Sequence, residues 1–171
     1  MAEGKLLTQR RLKELFHYDV SSGIFTTIKR RGRIHAGFVS GCHSVGRNGY
    51  VRVIISVDNR EYRAHRLAWL YVYGEWPSDE IDHINGVSTD NRIENLRLAT
   101  RPQNSHNSRK PKTNKSGFKG VSWHAIGKKW QAHIKSNGKN HYLGLFSTAK
   151  QAHLAYIEAA NRLNGEFARV A

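Results

Sequence analysis

The sequence predicts an α+β fold built from two small modules. Three observations carry that expectation. Runs of strand-type residues, such as GYVRVIISV and KKWQAHIK, are short and bounded by Gly, Asn and Asp, while helical periodicity is confined to a few brief stretches. SRKPKTNKSG, residues 108–117, holds four Lys/Arg with Pro, Gly and no large apolar side chain, the composition of a basic linker. Finally, 171 residues of 39% hydrophobic content can bury one ordinary core or two modest ones.

The elements follow in chain order. Thr8 is placed to cap a helix running to about residue 17, with Leu7 stapled against Leu12 and with Leu15 and Phe16 extending the apolar stripe. GIFTTIK and GYVRVIISV read as strands, and VDNREYRAH as a hairpin turning at Asp58-Asn59. In HRLAWLYVYGEWP, residues 65–77, Leu67, Leu70, Tyr71 and Gly74 recur at helical spacing, and Gly74 and Pro77 are stop signals. A strand EIDHI, a turn-rich loop and a second strand LRLAT come next, and Thr100 with Pro102 opens a short helix. Beyond the linker, KKWQAHIK alternates Trp130, Ala132 and Ile134 against Gln131, His133 and Lys135, and NHYLGLF is a further strand. The last helix is capped by Thr148 with Gln151 in capping-box position and ends at Gly165; Ala149, Ala152, Tyr156, Ala160 and Leu163 form its inner stripe.

Charge narrows the partners. Twenty-eight Lys and Arg against thirteen Asp and Glu give a formal net charge of +15. Such a surface draws polyanions, with nucleic acid foremost. Its distribution is uneven: residues 1–77 hold thirteen basic and six acidic side chains, residues 78–108 three and five, and residues 109–171 twelve and two. Two basic arms thus flank an acidic centre, which argues against a uniformly basic structural RNA-binding protein. The longest apolar run, AWLYVY at 68–73, is far short of the roughly 20 residues of a membrane span. MAEGKLLTQRRLKELF has no apolar segment followed by a small-residue cleavage site, so a soluble, cytoplasmic protein without a membrane partner is expected. The single Cys42 excludes an internal disulfide and a thiolate zinc knuckle, and is expected to be a buried or half-buried residue without chemistry.

The acidic centre has the makings of a cation site. Asp82 and His83 end a strand, and Asn104 falls in the first turns of the helix after LRLAT. Were that helix to cross the hairpin, Asp82 and Asn104 would offer two hard oxygen ligands, with water and phosphate completing the shell as Mg²⁺ prefers. A neutral imidazole at His83 could take a proton from water near neutral pH. The alternative at these residues is a surface turn with a hydrogen-bonded histidine.

Asp82-His83, Asn95 twelve residues after His83 and Asn104 nine further on closely resemble the HNH motif of phage-type homing endonucleases. The resemblance spans roughly residues 6–107, including YRAHRLAWLYVYGEWP. It implies a ββα-metal core at about 78–107 in which His83 is the general base, Asp82 and Asn104 bind the divalent ion and Asn95 braces the loop. Asn104 stands where the motif's name has a histidine, a departure that favours Mg²⁺ or Mn²⁺ over Zn²⁺.

Residues 117–168 resemble the Apetala-two/ethylene-response-factor DNA-binding domain, through GV at 120–121, KWQAHI at 129–134, YLGLF at 142–146 and the Ala-rich helix. In that family a three-stranded sheet enters the major groove. The resemblance makes Lys119, Ser122, His124, His133, Lys135, Asn140 and Tyr142 candidate DNA contacts. Several of these positions are Arg in the plant domains, so the plant target does not transfer. Trp123 and Trp130 are expected to pack the sheet.

The sequence therefore predicts a nuclease domain at 1–107, a basic linker at 108–117 and a DNA-binding domain at 118–171. The expected function is metal-dependent, site-specific cleavage of double-stranded DNA by a monomer in the host cytoplasm, with nicking favoured. The alternative is a non-catalytic DNA-binding regulator on an inactive HNH fold.

Overall fold

The computed structural model describes residues 6–30, 32–46, 49–108, 110 and 113–170. Of the expected linker, Arg109, Pro111 and Lys112 lie outside the described residues. Packing divides the chain into two compact units, residues 1–98 and 99–171. That boundary precedes the helix bearing Asn104, whereas the motif along the sequence runs through it.

In the first unit, α1 (Gln9–Leu15) starts at Thr8, whose hydroxyl accepts from the Arg11 N–H. The helix ends two residues earlier than expected because Phe16 is extended and opens β1 (Phe16–Asp19). β1 pairs with β2 (Ile24–Thr27), placing Tyr18 opposite Phe25, and β3 (Val39–Ser40) completes an antiparallel sheet. A second antiparallel sheet has the order β4 (Cys42–Val45), β5 (Val51–Val57), β6 (Arg60–Arg63). Its β5–β6 turn is Asp58-Asn59, both with positive φ (48° and 62°), the geometry of a two-residue hairpin. Cys42 is exposed, not buried: it lies on an edge strand whose four residues all face solvent. β1, β3 and β4 leave no clear trace in the sequence because two to four residues are too few for alternation to show.

α2 (Ala64–Tyr73) is shorter than the expected 65–77 and stops at its Gly74 cap. It buries Ala64, Leu67, Ala68 and Leu70 against Leu12, Phe16, Phe25 and Val57. Each large side chain so buried contributes roughly 1.5–3 kcal/mol. Two tethers fix α1 to the region of α2: Gln9 Nε2 donates to Tyr71 O (2.7 Å), and Trp76 Nε1 to Leu7 O (3.0 Å). β7 (Glu80–His83) and β8 (Leu96–Ala99) then form a two-stranded sheet, joined by a loop that ends in a 3₁₀ turn at Ile93–Asn95. Ile81 and Leu96 tie this hairpin to the same core.

In the second unit, α3 (Arg101–His106) begins with a full capping box between Thr100 and Gln103. β9 (Val121–His124), β10 (Lys129–Ser136) and β11 (Lys139–Phe146) form an antiparallel sheet with β10 in the centre. α4 (Ala149–Asn164) starts from the Thr148–Gln151 capping box, ends at Gly165, and lies on one face of the sheet. Its buried residues are Ala152, Tyr156, Ala159 and Ala160; small side chains bring helix and strand close, as Ala152 and Ala132 are both 0% exposed. Gly120 is part of that fit: its φ is +72°, and a Cβ there would overlap the Tyr156 ring. Trp130 packs with Val121, Ala132 and Ala152, and Trp123 meets it edge to face at 5.1 Å.

Candidate active site

β7 carries three consecutive buried residues, Ile81, Asp82 and His83. Burying a carboxylate demands a partner, and the partner is Arg97 of β8. Its Nε and Nη2 lie 2.9 and 2.8 Å from Asp82 Oδ2, and both side chains are largely shielded (14% and 5% exposed).

His83 is 5% exposed, and its Nε2 lies 3.2 Å from Asn91 Oδ1. Asn91 donates its Nδ2 to Thr89 O (3.4 Å), which turns the amide oxygen toward the ring. Nε2 therefore carries the proton and Nδ1 is the basic nitrogen. The ring of His65, from α2, meets His83 edge to face at 5.1 Å. Burial holds His83 below the ordinary imidazole range, opposed by the Asn91 hydrogen bond and the nearby Asp82 charge. Burial likewise pushes His65 down to about 3, so this pair is neutral near pH 7. A neutral imidazole is the form that accepts a proton.

The loop between β7 and β8 is held by its own side chains. Asn95, 6% exposed, donates Nδ2 to Asp90 O (2.8 Å) and accepts from the Asn85 N–H through Oδ1 (3.0 Å). Ile84 N donates to Asn95 O at 2.9 Å, closing the base of the hairpin. Asp90 is gripped by Arg92 and Asn85, which hold its carboxyl down at about 2. Asn104 lies half-buried in α3, in the second unit.

No cluster of three His, Cys, Asp or Glu able to hold a metal occurs among the described residues. Of the donors the motif implies, both hard oxygens, the Asp82 carboxylate lies in the first unit and the Asn104 amide in the second. Hard oxygens of this kind suit an ion that keeps much of its shell as water and phosphate, as Mg²⁺ does.

On the second unit's sheet, cross-strand register groups six of the seven candidate DNA contacts. Gln131 lies opposite Ser122, Lys129 opposite His124, His133 opposite Tyr142 and Lys135 opposite Asn140. These residues occupy the face away from α4, where Tyr142 is 63% exposed and His133, Lys135 and Asn140 are exposed. Gln131 Nε2 donates to Ser122 Oγ (3.1 Å), and the Gly127 N–H to His124 Nδ1 (3.0 Å). Lys119 is elsewhere: its Nζ donates to His106 O and Ser108 O, both at 2.7 Å, and burial pushes it down to about 8.

Comparison with known proteins meets this geometry at the same residues. Residues 62–106 match the HNH endonuclease family, and residues 116–166 match the AP2 domain family. The chain is 35% identical over 162 residues to an uncharacterized HNH endonuclease, L560, of Acanthamoeba polyphaga mimivirus, covering 88% of this chain and 82% of that one. The chain belongs to the HNH endonuclease family. Its HNH segment and AP2 domain give it an HNH-plus-AP2 architecture, the equipment of a DNA-binding nuclease. Protein 3.8 of Escherichia phage T7 is another relative of this HNH chain, 37% identical over 109 residues, covering 63% of this chain and 88% of that one. The solved HNH homing endonuclease I-HmuI aligns over 88% of the HNH chain and 85% of its own, with 17% identity and a TM-score of 0.40.

Four residues of the site are hidden in the sequence. Arg97 has a signal, a cation in LRLAT within reach of an acid in EIDHI once the two strands pair. Asn91 sits beside Asp90 in a polar loop where any of several Asn could serve. His65 and Tyr18 come from elements distant in sequence, and only folding brings them to the loop.

Proposed function

We propose that this protein is a metal-dependent, site-specific DNA endonuclease of the homing type, with His83 as general base. The observation that supports it most directly is the buried, neutral His83, fixed through Nε2 by Asn91 and adjacent to the Asp82 carboxylate. In this reading His83 Nδ1 takes a proton from a water molecule as that water attacks the scissile phosphorus, and the bond to the 3′ oxygen breaks. As the motif implies, Asp82 and Asn104 would hold a divalent ion, Mg²⁺ or Mn²⁺. When bound, that ion stabilises the charge developing on the phosphate and the leaving oxygen. Arg97 keeps the Asp82 carboxylate in place and offsets its charge. Asn95 braces the loop between the strands.

The exposed sheet face of the AP2 domain reads the duplex through Ser122, His124, His133, Lys135, Asn140 and Tyr142. For Lys119 to join them, its ammonium must exchange the carbonyls of His106 and Ser108 for phosphate. One chain with one such site acts as a monomer on DNA and nicks one strand, in the cytoplasm of the host cell.

The test is cleavage of supercoiled DNA carrying the gene's own genomic neighbourhood, with Mg²⁺ and with EDTA. Mg²⁺-dependent nicked product is expected, falling at least a hundredfold in His83→Ala while DNA binding persists. Equal binding by both proteins, with no cutting in Mg²⁺ or Mn²⁺, supports a non-catalytic DNA-binding regulator instead.

A further inference from the structure

We propose that Tyr18, far from the HNH motif in sequence, is a positioning residue for His83 and acts through Asn91. The inference rests on the reading of His83 as general base. Tyr18 is 2% exposed, and its hydroxyl donates to Asn91 O at 2.7 Å in a buried hydrogen bond. Its ring is fixed in turn by Phe25 (centroids 4.7 Å apart) and Tyr71 (5.6 Å).

Asn91, 3% exposed, is thus gripped by its backbone carbonyl while its side-chain Oδ1 accepts from His83 Nε2. That second bond decides which ring nitrogen is basic. A general base in the wrong tautomer, or tilted by a fraction of an ångström, loses much of its rate even when everything else is intact.

A second contact shows how closely the β1–β2 hairpin bears on this residue. Gly23, in the turn of that hairpin, has φ +72°, and a Cβ there would overlap the backbone at Asn91 and Arg92. Tyr18 and Gly23 therefore press on one short piece of chain, one through a hydrogen bond and the other through van der Waals contact. The N-terminal hairpin is the mould in which the His83 partner is cast. This gives the lead-in strands a part in catalysis without touching DNA or the reacting atoms.

The experiment compares the unaltered protein with Tyr18→Phe, which removes only the hydroxyl. Single-turnover cleavage at saturating DNA is expected to slow about tenfold with the DNA Kd unchanged, the usual cost of losing an orienting partner. Imidazole ¹⁵N spectra, recorded where the ring is neutral, are expected to change from one His83 tautomer, protonated at Nε2, to a mixture. Asn91→Ala is expected to produce the same mixture, and Asn91→Asp, which keeps the acceptor oxygen, to restore the single tautomer. A purely structural Tyr18 would lower the melting temperature and leave both readouts unmoved in the folded protein; that result overturns the proposal. If Tyr18→Phe does not fold, Gly23→Ala displaces the Asn91 backbone with the hydroxyl present, and an unchanged tautomer there overturns it equally. Should the unaltered protein cut no DNA, the catalytic reading fails, yet the tautomer comparison still decides whether Tyr18 positions the ring.

Discussion

At the scale of single residues, the site works by burying groups that would rather be solvated. His65 is the clearest case, an imidazole packed against His83 and pushed down to about 3 chiefly by burial, then by the His83 charge and neighbouring arginines. Folding therefore favours its neutral form. Between about pH 6.5 and about 3 the unfolded chain binds a proton that the folded chain refuses, so this contribution is fully present above 6.5 and is lost as pH falls. Unfolding free energies from urea titrations are expected to fall by on the order of 3 kcal/mol from this group between pH 7 and pH 4. His65→Gln should flatten that slope. Parallel slopes in the two proteins would mean that His65 titrates normally. His83, shifted the same way by burial, adds to the same trend.

At the scale of elements, β7 and β8 are held by a charge pair as well as by backbone hydrogen bonds. Arg97 and Asp82 face each other from adjacent strands, out of water, with two N–H groups on one carboxylate oxygen. Removing one member of a shielded pair leaves the other without its main compensation, which typically costs about 3–5 kcal/mol. Arg97→Met is expected to destabilise the protein by that order in urea unfolding, and Arg97→Met with Asp82→Leu to recover much of the loss. An Arg97→Met protein as stable as the unaltered one would show that the pair stays hydrated in solution. Elements also explain why the two three-stranded sheets of the first unit are unequally legible in the sequence. The seven-residue β5 and the Asp58-Asn59 turn carry strong local signals, whereas the four-residue β1 begins where a helix pattern is still running.

At the scale of the whole molecule, charge and site are assigned to different parts of the chain. The excess positive charge resides outside residues 78–108, where acids outnumber bases. Basic arms concentrate a polyanion near the protein, and an acidic, amide-rich centre suits a cation; together they meet both needs of a phosphodiesterase. DNA affinity is accordingly expected to fall steeply with salt. If Lys135 on the exposed sheet face meets a backbone phosphate, Lys135→Ala weakens binding to all sequences alike and reduces the slope of log K against log salt by about 1. A loss confined to one target sequence would make Lys135 a base contact instead.

The chain's own chemistry determines much of this locally. A cap, a turn or a strand's alternation is complete within a few residues, so the Thr100 and Thr148 capping boxes, the pattern of β10 and the Asp58-Asn59 turn are legible in short windows of the sequence. The spacing of Asp82, His83, Asn95 and Asn104 is equally legible, because a motif is a pattern along the chain. What the tertiary structure decides are the relations between residues far apart in sequence. Arg97 against Asp82, His65 against His83, and Tyr18 against Asn91 across 73 positions depend on which strands pair and which faces are covered. Those pairings follow from the summed burial of a core that runs from Leu7 to Leu96, and no window of the sequence short enough to scan contains it.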